Sequence, residues 1–509
     1  MIQKILIPAL CNASPHQETE LEIIEQHLSQ HDEIYYISCN GEITNCFLWQ
    51  YPTKDACSIC KKKFSTGVSL LSKKISILGW ESSAEMYLQK KFFFKNTAEL
   101  KKFSIDGKNI GLCVASTLIS ELNNEDFNTV AYAKLIQDNL STAYFIYNSF
   151  KKIVERIQPN LVYLFNGRHT TEAPIIMVCK EKNIPFYTHE IGNIFFRYRI
   201  TYNSLPHATA PIEQECNKLY PCYGHKQALE IANKFYSARR EGEPLGGISY
   251  TQQQKHSALP DGFDPKKKNI VFFNSSIFEF AALPGFSSLS KYYNSEDEAL
   301  LNVARDCADD PDIHIYCRMH PNLSQKDNKQ VRILRSLIGT NKNLTVIPPE
   351  SDIDSYALME QSKIIVTFHS TMGAEASFWG KPVIIIGFAA YRHLEGFYRP
   401  ESHTELIKLL HSDLKKLPNI GAIKYGLWMQ EGGVPFKYYI PKTRFSGEFK
   451  GVDIDLLARK KLLMQKLKEM LIDLSGAHGY TAAKNSFIKL KKNFSIKKVF
   501  FLLKKISDK

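Results

Sequence analysis

The stretch Thr367-Phe-His-Ser-Thr-Met-Gly-Ala-Glu-Ala-Ser-Phe-Trp-Gly-Lys-Pro-Val-Ile-Ile-Ile-Gly387 decides the fold. An apolar strand at 363–367 ends in Thr367, and Ser370 or Thr371 caps a helix over 372–379. Gly380 supplies the residue just past the helix, and Lys381-Pro382 leads into a second apolar strand over 382–386. Strand, capped helix and strand at this spacing is a βαβ unit, and therefore part of a parallel sheet. Gly373 lets another backbone come close. The helix start offers free N–H groups, hydroxyls and a positive dipole end beyond the strand, which suits a phosphate. Glu375 lies one turn in, at the wrong offset for a capping box. Its side chain leans back toward the helix start, where it can accept from two ribose hydroxyls. An ordinary capped helix with a solvated Glu accounts for the same residues.

The alternation extends both ways. In the second half, strands are predicted at 269–273, 313–317 and 344–347, with helices at 297–308, 330–337 and 355–361. With the opening stretch this makes a five-strand, doubly wound domain over 269–450. In the first half, strands at 5–8, 33–38, 161–165 and 184–188 and helices at 20–28 and 174–182 predict a first domain over 1–245. Residues 246–268, rich in Gly, Pro, Gln and Lys, read as the linker. The expected architecture is α/β, with two Rossmann-like domains facing a central cleft and a basic helical tail over 451–509.

Other strand ends carry chemistry of the same kind. Phe273-Asn-Ser-Ser-Ile-Phe-Glu-Phe280 delivers the hydroxyls of Ser275 and Ser276 into a loop, as a plain hydroxyl turn also would. Arg318-Met-His-Pro-Asn322 places Arg318 and His320 on one face at a strand end, where a leaving phosphate can be met. In the first half, Asn166-Gly-Arg168 and His189-Glu-Ile-Gly192 follow strands and open toward the cleft, unless they only hold turns. A base for an acceptor hydroxyl is sought there: Glu190 first, His189 second, His169 third. Asn166 and Arg168 stand on the acceptor side. Asp352-Ile-Asp354 precedes a helix and reads as its cap, not as a metal site.

Together these motifs resemble the GT-B glycosyltransferases of bacterial capsule and surface-polysaccharide synthesis. The resemblance rests on Asn274-Ser-Ser276, Arg318-x-His-Pro-Asn322, Pro349-x-Ser-x-Ile-Asp-Ser-Tyr-Ala-Leu-Met359 and Ser370-Thr-x-Gly-x-Glu-Ala376 before Trp379-Gly-Lys-Pro382. It is strongest over 270–410, and His369 stands where a small residue is expected. It implies a nucleotide-sugar donor held by Ser275, Ser276, Arg318, His320, Ser370, Thr371 and Glu375, a glycan or lipid-linked acceptor on the first domain, and transfer that needs no metal. A nucleotide-sugar 2-epimerase and a non-catalytic assembly factor are the rival readings.

Composition sets the outer limits. The chain has 509 residues, 44% of them hydrophobic and 23% charged, as in ordinary globular proteins. Neither a signal peptide nor a run of about 18 apolar residues is visible, so a cytoplasmic location is expected. Among eleven cysteines, Cys39, Cys46, Cys57 and Cys60 are spaced C-x6-C-x10-C-x2-C. That spacing suits a structural zinc, less readily an iron–sulfur cluster, and also arises by chance. The net charge of +13 is concentrated in the tail, where nine lysines face one acid, Asp508, over 480–509. Phe and Leu residues interleave with those lysines. An anionic membrane surface at the inner face of the cytoplasmic membrane is the expected partner, and no nucleic-acid motif accompanies the charge.

Overall fold

The computed structural model describes residues 2–43, 45–46, 53–243, 249–284 and 290–475. The chain forms two compact units. One combines the residues up to Trp80 with those from Phe436 onward, and the other is Glu81–Pro435.

The first unit opens with β1 (Lys4–Pro8), α1 (His16–Ser29), β2 (Glu33–Ser38), α2 (Lys54–Ser69) and β3 (Ser76–Gly79). These strands pair in parallel in the order β1-β2-β3. Cys57 and Cys60 lie on α2. Cys60 Sγ accepts a hydrogen bond from Asn12 Nδ2 at 3.0 Å, and burial pushes the Cys39 and Cys60 thiols up, toward the protonated form. Zinc is bound by thiolates. Among the described residues no three His, Cys, Asp or Glu side chains come together as a metal-binding set. Residues 44 and 47–52, which lie between Cys39 and Cys57, are outside the described residues.

In the second unit, α3 (Thr97–Lys102), α4 (Ile110–Leu122) and α5 (Ala133–Ile157) precede β4 (Leu161–Phe165), α6 (Ala173–Glu181), β5 (Phe186–Ile191) and β6 (Arg197–Tyr202). β4 and β5 are parallel. β6 runs antiparallel to β5, pairing Glu190 with Arg199, because five residues between them are too few for a crossover. His189 and Glu190 thus sit within β5, one step earlier than the loop position expected for them. The long α7 (Thr209–Arg240) follows.

The opening stretch then takes its place in a five-stranded parallel sheet. Its elements are β7 (Lys268–Phe273), α8 (Glu296–Asp306), β8 (Ile313–Arg318), α9 (Lys329–Ser336), β9 (Leu344–Ile347), α10 (Ser355–Gln361), β10 (Ile364–Thr367), α11 (Met372–Phe378) and β11 (Val383–Ile385). The order is β11-β10-β7-β8-β9, so the chain reverses its winding between β7 and β10. Gly380 adopts φ +79°, and the amides of Gly380 and Lys381 bond to Ser377 O and Ala376 O, the helix ending expected. Gly373 is close to the Tyr391 hydroxyl and the Thr367 methyl, so side chains approach it where another backbone was expected. Asp354 caps α10 through the amides of Tyr356 and Ala357. Then α12 (His403–His411), α13 (Ile420–Glu431) and the short β12 (Val434–Pro435), paired with β6, complete the unit.

The compact units divide the chain differently from the expected boundary at 246–268. One apolar core joins Leu118, Leu140 and Ala173 to Ile270, Ile315 and Val366, across that boundary. The segment is also pinned where it is described: Lys255 N bonds to Asp352 O, and Ser257 N to Asp354 Oδ2.

Back in the first unit, β13 (Tyr439–Thr443) and β14 (Ser446–Phe449) form a hairpin ahead of α14 (Ile454–Ser475). Ala458, Leu462 and Leu463 are buried, Asp455 pairs with Lys63 of α2 at 3.2 Å, and Lys461 reaches Thr66 at 3.1 Å. The start of the expected basic tail is therefore a docked helix. Residues 480–509 lie outside the described residues. No helix among the described residues is long and apolar enough to cross a membrane.

Candidate functional site

The winding reversal between β7 and β10 leaves their following loops on either side of a crevice, the place where open α/β sheets bind ligands. Ser275 Oγ accepts from the His369 amide at 3.2 Å and so ties the two loops together. Asn274 holds the β7 loop from behind. Its Nδ2 donates to Glu296 at 2.6 Å, and its Oδ1 accepts from the His320 amide at 2.9 Å. The Ser276 hydroxyl is buried and has no hydrogen-bond partner among the described residues.

His320 Nδ1 accepts from the Asn322 amide at 3.1 Å, which leaves the ring proton on Nε2 as a donor. Burial, with the charges of Arg239 and Arg318, pushes this imidazole down to about 4, so it is neutral near pH 7. Ser370 Oγ accepts from the Met372 amide at 3.3 Å, and the Thr371 hydroxyl donates to Glu375 at 3.2 Å.

Two expected donor ligands are committed elsewhere. Arg318 is buried, with Nη1 on Pro348 O at 2.5 Å and Nη2 on Ser351 O at 3.0 Å. It braces the loop before α10 instead of facing the crevice. Glu375 is 1% exposed and accepts from Arg239 Nε at 3.0 Å, from Thr371 and from the Tyr356 hydroxyl. A carboxylate so occupied holds protein groups in place, where ribose hydroxyls were expected to bind.

Arg239, at the end of α7, is the site residue that the sequence did not reveal. Its Nη2 also donates to Thr371 at 3.3 Å, and its side chain is 35% exposed beside His320 and Thr371. An Arg-Arg pair closing a helix was the only signal, and the partner stands 136 positions away.

At the ends of β4 and β5, Asn166 donates to Glu190 at 2.8 Å, so two predicted residues do meet. Arg168 donates to Glu279 O and to Ser120 Oγ, each at 3.2 Å, and joins the β4 loop to the β7 loop. His169 and His189 are buried. Burial drives His169 well below the ordinary imidazole range. A cavity of about 750 Å³ adjoins both groups of loops. His369, Thr371 and Phe280 wall it from the five-stranded sheet, and Gly167, Ser204 and His207 from the β4–α7 region. His369 stacks on Phe280 with ring centroids 4.7 Å apart.

Comparison with known proteins centres on the same stretch. Residues 198–403 match the family described as "Capsule polysaccharide biosynthesis protein". Over those residues the match agrees with the capsule-synthesis resemblance seen in the motifs. Among solved structures, the chain is similar to the Thermosulfurimonas dismutans KpsC beta Kdo 2,4 transferase. The identity is 14% and the TM-score 0.35, over 53% of this chain and 79% of that one. It is also similar to the beta Kdo 2,7 transferase of the same protein, at 13% identity and a TM-score of 0.32, over 62% and 89%. The UDP-GlcNAc 2-epimerase of Neisseria meningitidis, solved with UDP-GlcNAc bound, is 13% identical with a TM-score of 0.27, over 92% and 100%. No curated protein matches the sequence.

Proposed function

We propose that this chain is a glycosyltransferase that moves a sugar from a nucleotide-sugar donor to a glycan or lipid-linked glycan during surface-polysaccharide synthesis, at the cytoplasmic side. The observation that carries the reading is the gathering of Ser276, His320, Ser370, Thr371 and Arg239 at the winding reversal, beside a cavity large enough for a sugar. The capsule-family match over 198–403 supports it.

In this reading the donor phosphates meet the hydroxyls of Ser276 and Ser370, the Nε2–H of His320 and the outer edge of Arg239, while the Thr371 hydroxyl, which donates to Glu375, holds Arg239 in place. A neutral imidazole donor and a guanidinium can share the charge that develops on the leaving phosphate, so the transfer is metal-independent. Arg318 and Glu375 act one step back, by fixing the loop before α10 and by orienting Arg239.

The test is donor breakdown over UDP-, GDP- and CMP-sugars with the full-length protein. Release of free sugar and nucleotide from one class supports the transferase. Conversion of donor to an isomeric nucleotide sugar would make it an epimerase, and tight nucleotide binding with no turnover across the panel would leave a non-catalytic protein. Among the described residues no carboxylate lines the cavity, which disfavours the carboxylate-rich sugar site an epimerase needs.

A further inference from the structure

The transferase reading requires a group to take the proton of the attacking hydroxyl, if the transfer inverts the sugar. The three residues expected from the sequence do not wall the cavity: His169 and His189 are buried outside it, and Glu190 is bonded to Asn166. Among the described residues four titratable side chains do wall it: Lys180, His207, His369 and Tyr425. A lysine ammonium has no lone pair to offer. Burial drives the Tyr425 phenol upward, away from the ionised form. His369 lies between β10 and α11, stacked on Phe280 in the wall next to Thr371, and so belongs with the donor groups. His207 remains. It sits between β6 and α7, in the wall shared with Gly167 and Ser204.

We infer that His207 is the catalytic base, an inference that rests on the transferase reading. Its Nδ1 is buried and has no hydrogen-bond partner among the described residues, so Nε2 is the only ring nitrogen able to face the cavity. Burial first, and then the charges of Arg168 and Arg199, push the ring down to about 4, while Glu190 acts in the opposite direction. His169 is a further neighbour. The ring is therefore neutral near pH 7, with a lone pair available, and Glu190 stands by to stabilise the imidazolium. In the step, the acceptor oxygen bonds to the anomeric carbon as the bond from that carbon to the donor phosphate oxygen breaks. The electron pair leaves on the phosphate, and the hydroxyl proton passes to His207 Nε2.

Water can stand in for the acceptor, so hydrolysis of the donor identified above reads the step directly. His207→Gln and His207→Asn should each lower the kcat of hydrolysis by roughly 10²–10⁴-fold. Calorimetric nucleotide affinity should stay within about twofold. His207→Ala should regain part of its rate when imidazole is added, which a purely structural role would not allow. Hydrolysis by His207→Gln within about threefold of wild type would overturn the inference. So would loss of nucleotide binding in every variant, since that makes the residue structural. Failure of the wild-type protein to break down any donor is a separate result, read before any variant is made, and it removes the transferase reading itself.

Discussion

The Glu375 carboxylate accepts from Arg239, Thr371 and Tyr356 and is almost wholly out of water. Removing it leaves a guanidinium and a phenol without their acceptor. Breaking a buried pair costs about 3–5 kcal/mol. Arg239 keeps 35% of its side chain in solvent, which places Glu375→Ala at the lower end, roughly 3 kcal/mol. Denaturant unfolding checks this, and a loss below about 1 kcal/mol would mean that the pair is not formed in solution. His320→Ala tests the ligand face instead. Its Nδ1 partner is only the neighbouring Asn322 amide, so the fold should hold while nucleotide affinity falls about ten- to a hundredfold, the worth of one charge-assisted hydrogen bond. Wild-type affinity by calorimetry would take His320 out of the donor site.

At the scale of elements, α8 begins with a carboxylate that holds the β7 loop. Glu296 is buried, accepts from Asn274 Nδ2 and the Ser275 amide, and is pushed up to about 7 by burial. The neutral form is therefore favoured on folding. A carboxyl raised in this way contributes stability below its unfolded value near 4.5, and that contribution is lost as pH rises through about 7. Each pKa unit is worth about 1.4 kcal/mol, so the span amounts to on the order of 3 kcal/mol for this 4%-exposed group. Glu296→Gln abolishes the titration and places an amide where one buried oxygen lacks a partner. The stability difference between variant and wild type should then grow in the variant's favour from pH 4.5 to 7 and level off above. A difference independent of pH over that range would refute the assignment.

Across the whole molecule, one apolar core ties α4 and α5 to the five-stranded sheet, and α14 returns the chain to the unit in which it began. The lysines beyond residue 480 lie outside this description, and their behaviour rests on sequence alone. Nine lysines near an anionic surface attract it by about 1 kcal/mol each, an effect that salt screens. Deleting 480–509 should release the protein from anionic vesicles and leave nucleotide affinity unchanged. Co-sedimentation that does not respond to the anionic lipid fraction would rule the membrane role out.

The sequence by itself determined the strands and helices over 268–386 almost to the residue, and gave no reading of α12, α13 or the β13–β14 hairpin. Apolar run length, the Asp354 cap and the Gly380 ending act within one turn of the chain, so their signals are local. It also put the motifs that bear hydroxyls and imidazole at strand ends that a doubly wound sheet brings together. It singled out Asn166 and Glu190 separately, and the two side chains meet. Tertiary structure alone decided which side chains are free to work. Arg318 is taken by carbonyls 30 and 33 positions away, and Glu375 by an arginine 136 positions away. Long polar side chains satisfy whichever partner burial brings near, and that choice leaves no periodic trace in the chain. The four cysteines meet the same limit. Their spacing says nothing of which faces of α2 and of the strand ends meet, and His207 reaches the cavity only because β6 turns back antiparallel on β5.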